Sequence, residues 1–283
     1  MSVSEFIQKG NLAEAVAAAT ADVKRQPLKP EPRVVLAELM CFSGNLDRAD
    51  ELVEGASKQN RAPVPGLILL RQLLRGEVAR QQWYEEGRPP QTKSEPSPEL
   101  ATALQAVVEF RAGDQAAAAD KVGSLAQSHD RQGTLQLTSG EGLRFESLRD
   151  LNDLTASVAE LVSSAGKFFW VPWTEVRRAK FEPVQTLRDV LWRPVEITFT
   201  DESTERYFMP CLYSGSARSK VDTFRLGQAT DWADLGAGLI SGIGLRMFLA
   251  GESTPTMFEV ADIQFDGASI QIEGTESDHG EPG

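Results

Sequence analysis

Two short strings 34 residues apart constrain this fold more than anything else in the chain. Gly10-Asn11-Leu12 is followed by Ala15, and Gly44-Asn45-Leu46 is followed by Ala49. Other positions agree at the same offset: Phe6 with Met40, Ile7 with Cys41, Ala19 with Val53. Gly-Asn makes a tight turn between two helices, and the small alanine lets the second helix lie close on the first. Pro27 falls where the first unit has to stop. Looser echoes follow at Gly76-Glu77 and at Gly113-Asp114, the latter with Ala118 at the matching offset. Helices are expected over Ser4 to Lys9, Leu12 to Arg25, Val34 to Phe42, Leu46 to Gln59, Gly66 to Tyr84, Leu100 to Ala112 and Gln115 to Gln127. Four prolines between Glu86 and Pro98 predict a loop there.

A 34-residue period of paired helices is that of tetratricopeptide-like α-α superhelices. Composition then changes: 16 of the 21 aromatic residues lie beyond residue 140, where glycine, proline and β-branched residues suit sheet. Gly133 to Phe145 is expected to be a hairpin or an extended segment and Lys167 to Pro172 a strand. Val195 to Phe199 pairs with Tyr207 to Met209 in a second hairpin, and short strands are expected near Phe258 to Phe265 and Ser269 to Ile272. Asp153 to Ser164 reads as a short amphipathic helix, and Thr186 to Leu191 as one or two helical turns. The expected fold is therefore multidomain, α and α+β. A tetratricopeptide-like superhelix over residues 1–128 precedes a small mixed domain with antiparallel strands over 129–273, and 274–283 form a disordered acidic tail.

The formal charge of −12 disfavours duplex DNA and anionic membrane as partners, since both need clustered lysine and arginine. The N-terminus lacks the pattern of a signal peptide. The longest charge-free apolar stretch, Leu235 to Leu245, falls short of the roughly 20 residues of a membrane helix. A cytoplasmic protein is expected, with Cys41 and Cys211 as small buried hydrophobes. Neither histidine, His129 or His279, accompanies a nucleophile pattern. Glycines 236, 238, 242 and 244 read as a turn-rich loop, not a phosphate cradle. Asp150, Asn152 and Asp153 read as helix caps, not calcium ligands. Phe168, Phe169, Trp170 and Trp173 suit a small-domain core, with a ligand-stacking platform as the alternative. No catalytic residue, metal or cofactor is assigned. What remains is a binding protein whose stacked repeats offer a concave face. Val34 and Glu38, with Val107 and Arg111, are expected to line that face, exposed to an amphipathic partner helix.

Five ordered blocks carry a resemblance. They are Phe169-Trp170-Val171-Pro172-Trp173, Leu187-Arg188-Asp189-Val190-Leu191-Trp192, Met209-Pro210-Cys211-Leu212-Tyr213, Thr230-Asp231-Trp232 and Ile243-Gly244-Leu245-Arg246-Met247-Phe248. In order and content they resemble the ImpE family, also called TagJ or SciE. The resemblance implies a non-enzymatic accessory protein of a type VI secretion system. It implies partners in the small sheath subunit, TssB-like, and in the ClpV-type ATPase that recycles contracted sheath. It also implies structural roles for Trp170, Pro172, Trp173, Asp189, Trp192, Pro210, Tyr213, Asp231, Trp232, Gly244 and Arg246. The residues themselves leave open a second reading, a small-molecule-binding or catalytic module in the aromatic C-terminal half.

Overall fold

The computed structural model describes residues 1–59 and 62–267. Helices fill the first half: α1 (Val3–Gln8), α2 (Leu12–Arg25), α3 (Glu31–Phe42), α4 (Leu46–Lys58), α5 (Pro65–Glu86), α6 (Pro98–Arg111) and α7 (Gln115–Ser124). The repeated strings form repeated structure. Gly10, Gly44 and Gly113 take φ of 70°, 72° and 88°, and the next residue's N–H returns to the preceding helix each time. Asn11 donates to the Phe6 carbonyl at 3.0 Å, Asn45 to Met40 at 2.9 Å and Asp114 to Glu109 at 3.0 Å. Ala15, Ala49 and Ala118 are fully buried where the paired helices meet.

The echo at Gly76 is different: no turn forms there, in line with the helix expected over Gly66 to Tyr84. Gly76 lies inside the unbroken 22-residue helix α5. A Cβ on it would come within 2.2 Å of Val162. Glycine is present because a helix presses on a sheet, not because the chain turns.

The mixed architecture expected from sequence is observed: helices first, then antiparallel strands. The strands are β1 (Gly133–Leu137), β2 (Gly142–Phe145), β3 (Leu148–Asp150), β4 (Val158–Ser163), β5 (Phe168–Pro172), β6 (Val176–Phe181), β7 (Trp192–Phe199), β8 (Thr204–Pro210), β9 (Thr230–Gly236), β10 (Leu239–Gly244), β11 (Phe248–Ala250) and β12 (Val260–Phe265). Eight form one sheet in the order β2-β1-β12-β6-β7-β8-β4-β5. Two short helices, α8 (Leu187–Leu191) and α9 (Asp222–Arg225), sit in its connections.

The expected helix over Asp153 to Ser164 is instead a single 3-10 turn at Asp153–Thr155 followed by strand β4. Its residues are buried on both faces: Val158 and Val162 join the core under the helices, and Ala159 and Leu161 join the core on the far side. A strand buried on both faces reads as a continuous apolar run, which periodicity cannot tell from a short helix. The glycines from 236 to 244 form a hairpin, not a loop. Ala237 and Gly238, at φ of 53° and 82°, make the two-residue connection between β9 and β10, in the left-handed geometry that suits the strand twist. The expected strand at Ser269 to Ile272 and the acidic tail lie outside the described residues. Among the described residues, no helix is long and apolar enough to cross a membrane.

The helical layer and one sheet face share a single apolar core, which runs from Leu12 through Trp83 and Val107 to Trp170, Trp192 and Leu226. The opposite face closes on its own cluster. There Trp173 packs 6.1 Å from Phe248 and 6.2 Å from Phe265, ring to ring.

Candidate functional site

The seam between helices and sheet holds a cluster of buried charged side chains. Helix α5 presents Glu77, Arg80, Trp83 and Tyr84 on one face, as three- and four-residue spacing requires. Strand β4 answers with Glu160, directed at the helices between Val158 and Val162. Arg80 grips Glu160 with two N–H groups, Nε to Oε1 at 3.1 Å and Nη2 to Oε2 at 2.9 Å. Its Nη2 also reaches the Leu212 carbonyl at 3.0 Å, and its Nη1 reaches Glu77 at 3.3 Å. Tyr84 donates its hydroxyl to Glu160 at 2.7 Å. Arg246, just past β10, pairs with both Glu160 and Asp150 and donates to the Pro210 carbonyl at 3.1 Å. Asp150 also accepts the Asn152 N–H at 2.8 Å.

Arg80, Arg246, Glu160 and Asp150 are all buried. Burial alone would raise the Glu160 carboxyl, but Arg80 and then Arg246 overturn that and hold it at about 2. Burial pushes Asp150 upward against the pull of Arg246. The two guanidiniums stay charged, because their carboxylate partners outweigh the cost of burying them.

Beside this cluster, between α3, α5 and residues 212–218, lies a cavity of about 270 Å³. Phe42, Glu77, Trp192, Tyr213, Glu85 and Arg218 are among its walls. Trp192 donates Nε1 to Glu77 at 3.1 Å.

Further contacts clasp the helices onto the C-terminal half. Asp222 accepts the N–H of Leu12 at 2.8 Å and so caps α2 from far along the chain. Gln228 donates to the Ile7 carbonyl at 2.6 Å. Arg188 of α8 reaches Glu38 at 3.1 Å and the Gly66 carbonyl at 2.9 Å.

These contacts correct the expected partner face. Glu38 is buried against Arg188, and burial raises its carboxyl despite that partner. Val107 is fully buried core, and Val34 is half-buried against the same core. Only Arg111 is exposed, its guanidinium lying over Gly87 at the end of α5. The chain's own C-terminal half occupies the face that sequence reasoning left open for a partner.

The family-motif residues fall around the seam and the far core. Trp170 stands edge-on to Trp83, with ring centroids 5.5 Å apart. Pro172 and Pro210 are buried strand ends, and Tyr213 takes the Met247 N–H at 3.0 Å. Asp189 accepts the N–H groups of Gln185 at 3.0 Å and Thr186 at 2.8 Å, closing the start of α8. Asp231 lies in β9 and accepts the Trp232 N–H at 2.9 Å. A Cβ on Gly244 would meet the Ala229 carbonyl at 2.1 Å. Trp232 is the exception: it is 40% exposed on its hairpin and packs on Tyr213. Sequence reasoning missed Arg80, Glu77 and Glu160. The available signal was a lone charge inside an apolar run, Glu160 within Val158 to Val162.

The fold and site define a class: a layer of helical hairpins ion-paired onto an eight-stranded antiparallel sheet. Residues 142–264 match the model of the ImpE protein family. Over 267 residues the chain is 24% identical to the type VI secretion system accessory component TagJ of Pseudomonas aeruginosa, covering 94% of this chain and 92% of that one. The crystal structure of protein VPA1032 from Vibrio parahaemolyticus has the same fold. Its TM-score is 0.82 at 23% identity, over 93% of this chain and 97% of the other. The match of residues 142–264 to the ImpE family model agrees with the resemblance that the five sequence blocks carry.

Proposed function

We propose that this chain is an accessory component of a type VI secretion system that works by holding protein partners and catalyses no reaction. The observation that carries this is the end-to-end alignment with TagJ, which matches helices and sheet together rather than one half alone. The cytoplasm is the compartment such a role requires. The partner we favour is a TssB-like small sheath subunit, with the ClpV-type ATPase reached through it. The inner helical face is closed, so capture uses a surface the sheet leaves open. A groove of about 810 Å³ where α1, α2 and the start of α3 diverge is the best candidate, with Val3, Ala18, Ala21, Pro32 and Val35 in its walls. An amphipathic helix could lay its apolar stripe there.

Affinity purification from cells with an intact secretion cluster, read by mass spectrometry, tests the proposal. A sheath subunit should copurify with the wild-type chain and be lost with Ala18→Asp. Recovery without any sheath component would sink the sheath assignment.

A further inference from the structure

We propose that the cavity beside the buried ion cluster is a receptor for an alkyl cation, the lysine or arginine side chain of a partner polypeptide. The sign of the ligand follows from counting charges. Two guanidiniums, Arg80 and Arg246, face three carboxylates, Asp150, Glu160 and Glu77. One negative charge is in excess, and Glu77 is the carboxylate of the three that reaches the cavity wall. Each of its oxygens accepts one hydrogen bond, from Arg80 at 3.3 Å and from Trp192 at 3.1 Å. A carboxylate oxygen has room for a second. An anion would fare badly there. Arg80 is already committed to Glu160, Glu77 and the Leu212 carbonyl, and Arg218, the other cation in the wall, is paired with Glu85, so the newcomer would meet Glu77 with both cations already engaged.

The walls fit the stem of the same ligand. Phe42, Leu191, Trp192 and Leu212 give an apolar lining, which suits the methylenes of a long cationic side chain and offers its head an aromatic face. A cavity of about 270 Å³ lies just below the range for drug-sized ligands and suits one side chain.

The approach is acidic. Glu85 stands at the cavity wall paired with Arg218, both of them well exposed, so a carboxylate there already holds a guanidinium. Gly44, Gln81 and Glu85 also line an adjoining open groove of about 340 Å³ that adds Asp47 and Glu86. That adjacency favours a polypeptide over a free amine, since the groove gives the ligand's main chain a place to lie. In a chain of net charge −12, the acidic approach would also hasten the encounter. The inference does not depend on the secretion role.

Calorimetric titration of the full chain with capped Gly-Lys-Gly and Gly-Arg-Gly peptides tests it, with norleucine and glutamate peptides and free butylamine as controls. A cationic peptide should bind, weaken with added salt, and bind at least tenfold more tightly than every control. Glu77→Gln should reduce its affinity at least tenfold. Gln81→Lys, which supplies a competing cation from the shared wall, should do the same and carries the test if Glu77→Gln fails to fold. Norleucine binding as well as lysine, no binding of either cationic peptide, or unchanged affinity in a folded variant would overturn the proposal. Butylamine matching the peptides would reassign the cavity to a small free amine and overturn the polypeptide ligand.

Discussion

Glu160 is a carboxylate 1% exposed, and burying an unpaired charge costs several kcal/mol. Two guanidiniums and the Tyr84 hydroxyl make it tolerable, and they come from both layers of the molecule. Glu160→Gln keeps the shape and removes the charge, leaving Arg80 and Arg246 short of a counterion. Urea unfolding should show a loss of about 3–5 kcal/mol; a change under about 1 kcal/mol would mean that the cluster is hydrated and weakly coupled. The pH dependence has a definite sign. The folded carboxyl titrates at about 2 and the ordinary value is 4.5, so on acidification the unfolded chain takes the proton first. The stability Glu160 contributes is present above about pH 4.5 and is lost as pH falls through about 2. The wild-type chain should therefore lose stability more steeply than Glu160→Gln across that window. A sequence shows the residues of such a cluster but not their convergence. Arg80, Asp150, Glu160 and Arg246 come from four separate segments, and each alone looks like a solvated charge or a cap. The motif blocks did place Arg246, because its neighbours are distinctive.

At the scale of elements, local chemistry was legible and long-range packing was not. The turns at Gly10 and Gly44 follow from one dipeptide each. The sequence of β4 reads equally as a short helix because both its faces become internal only when the helical layer covers one and the second core covers the other. Gly76 tests how helix and sheet are fitted. In an isolated helix, Gly→Ala gains up to about 1 kcal/mol. Here the added methyl would press into Val162, and overpacking of that kind costs about 1–3 kcal/mol. Gly76→Ala should therefore destabilise the protein, and adding Val162→Ala should recover part of the loss, giving a coupling that a double-mutant cycle reads. Additive losses would place the two residues out of contact. Asp222 shows the same reach across the chain: it caps α2, whose own Asn11 makes no side-chain cap. Asp222→Ala should cost about 1 kcal/mol, although the residue lies in the other half of the sequence. Thermal melting at neutral pH would show the loss; an unchanged midpoint would mean that water replaces the cap.

For the whole molecule, the composition break near residue 130 suggests two bodies, and the packing argues that they behave as one. The helical layer's core continues into Val158, Val162, Phe168, Trp170 and Trp192 of the sheet. The loop after α5 is tied down as well: Gln91 exchanges backbone hydrogen bonds with β5, and Lys93 lies 3.3 Å from the centre of the Phe199 ring. Separating the halves would expose that apolar face and strand Glu160 without Arg80, at a cost comparable to the roughly 5–15 kcal/mol that stabilises a typical domain. Neither half should then persist alone under conditions that unfold the other. Two probes can follow them separately. Four of the five tryptophans lie beyond residue 140, so indole fluorescence reports mainly on the sheet, whereas far-ultraviolet dichroism reports mainly on α2 to α7. In urea the two signals should move together, with one midpoint and one slope, as a single cooperative unit requires. Fluorescence midpoints displaced from the helical signal would instead support the boundary at residues 128–129. In that case an isolated 1–128 fragment should fold, with its inner face, Glu38 and Val107 included, open to solvent.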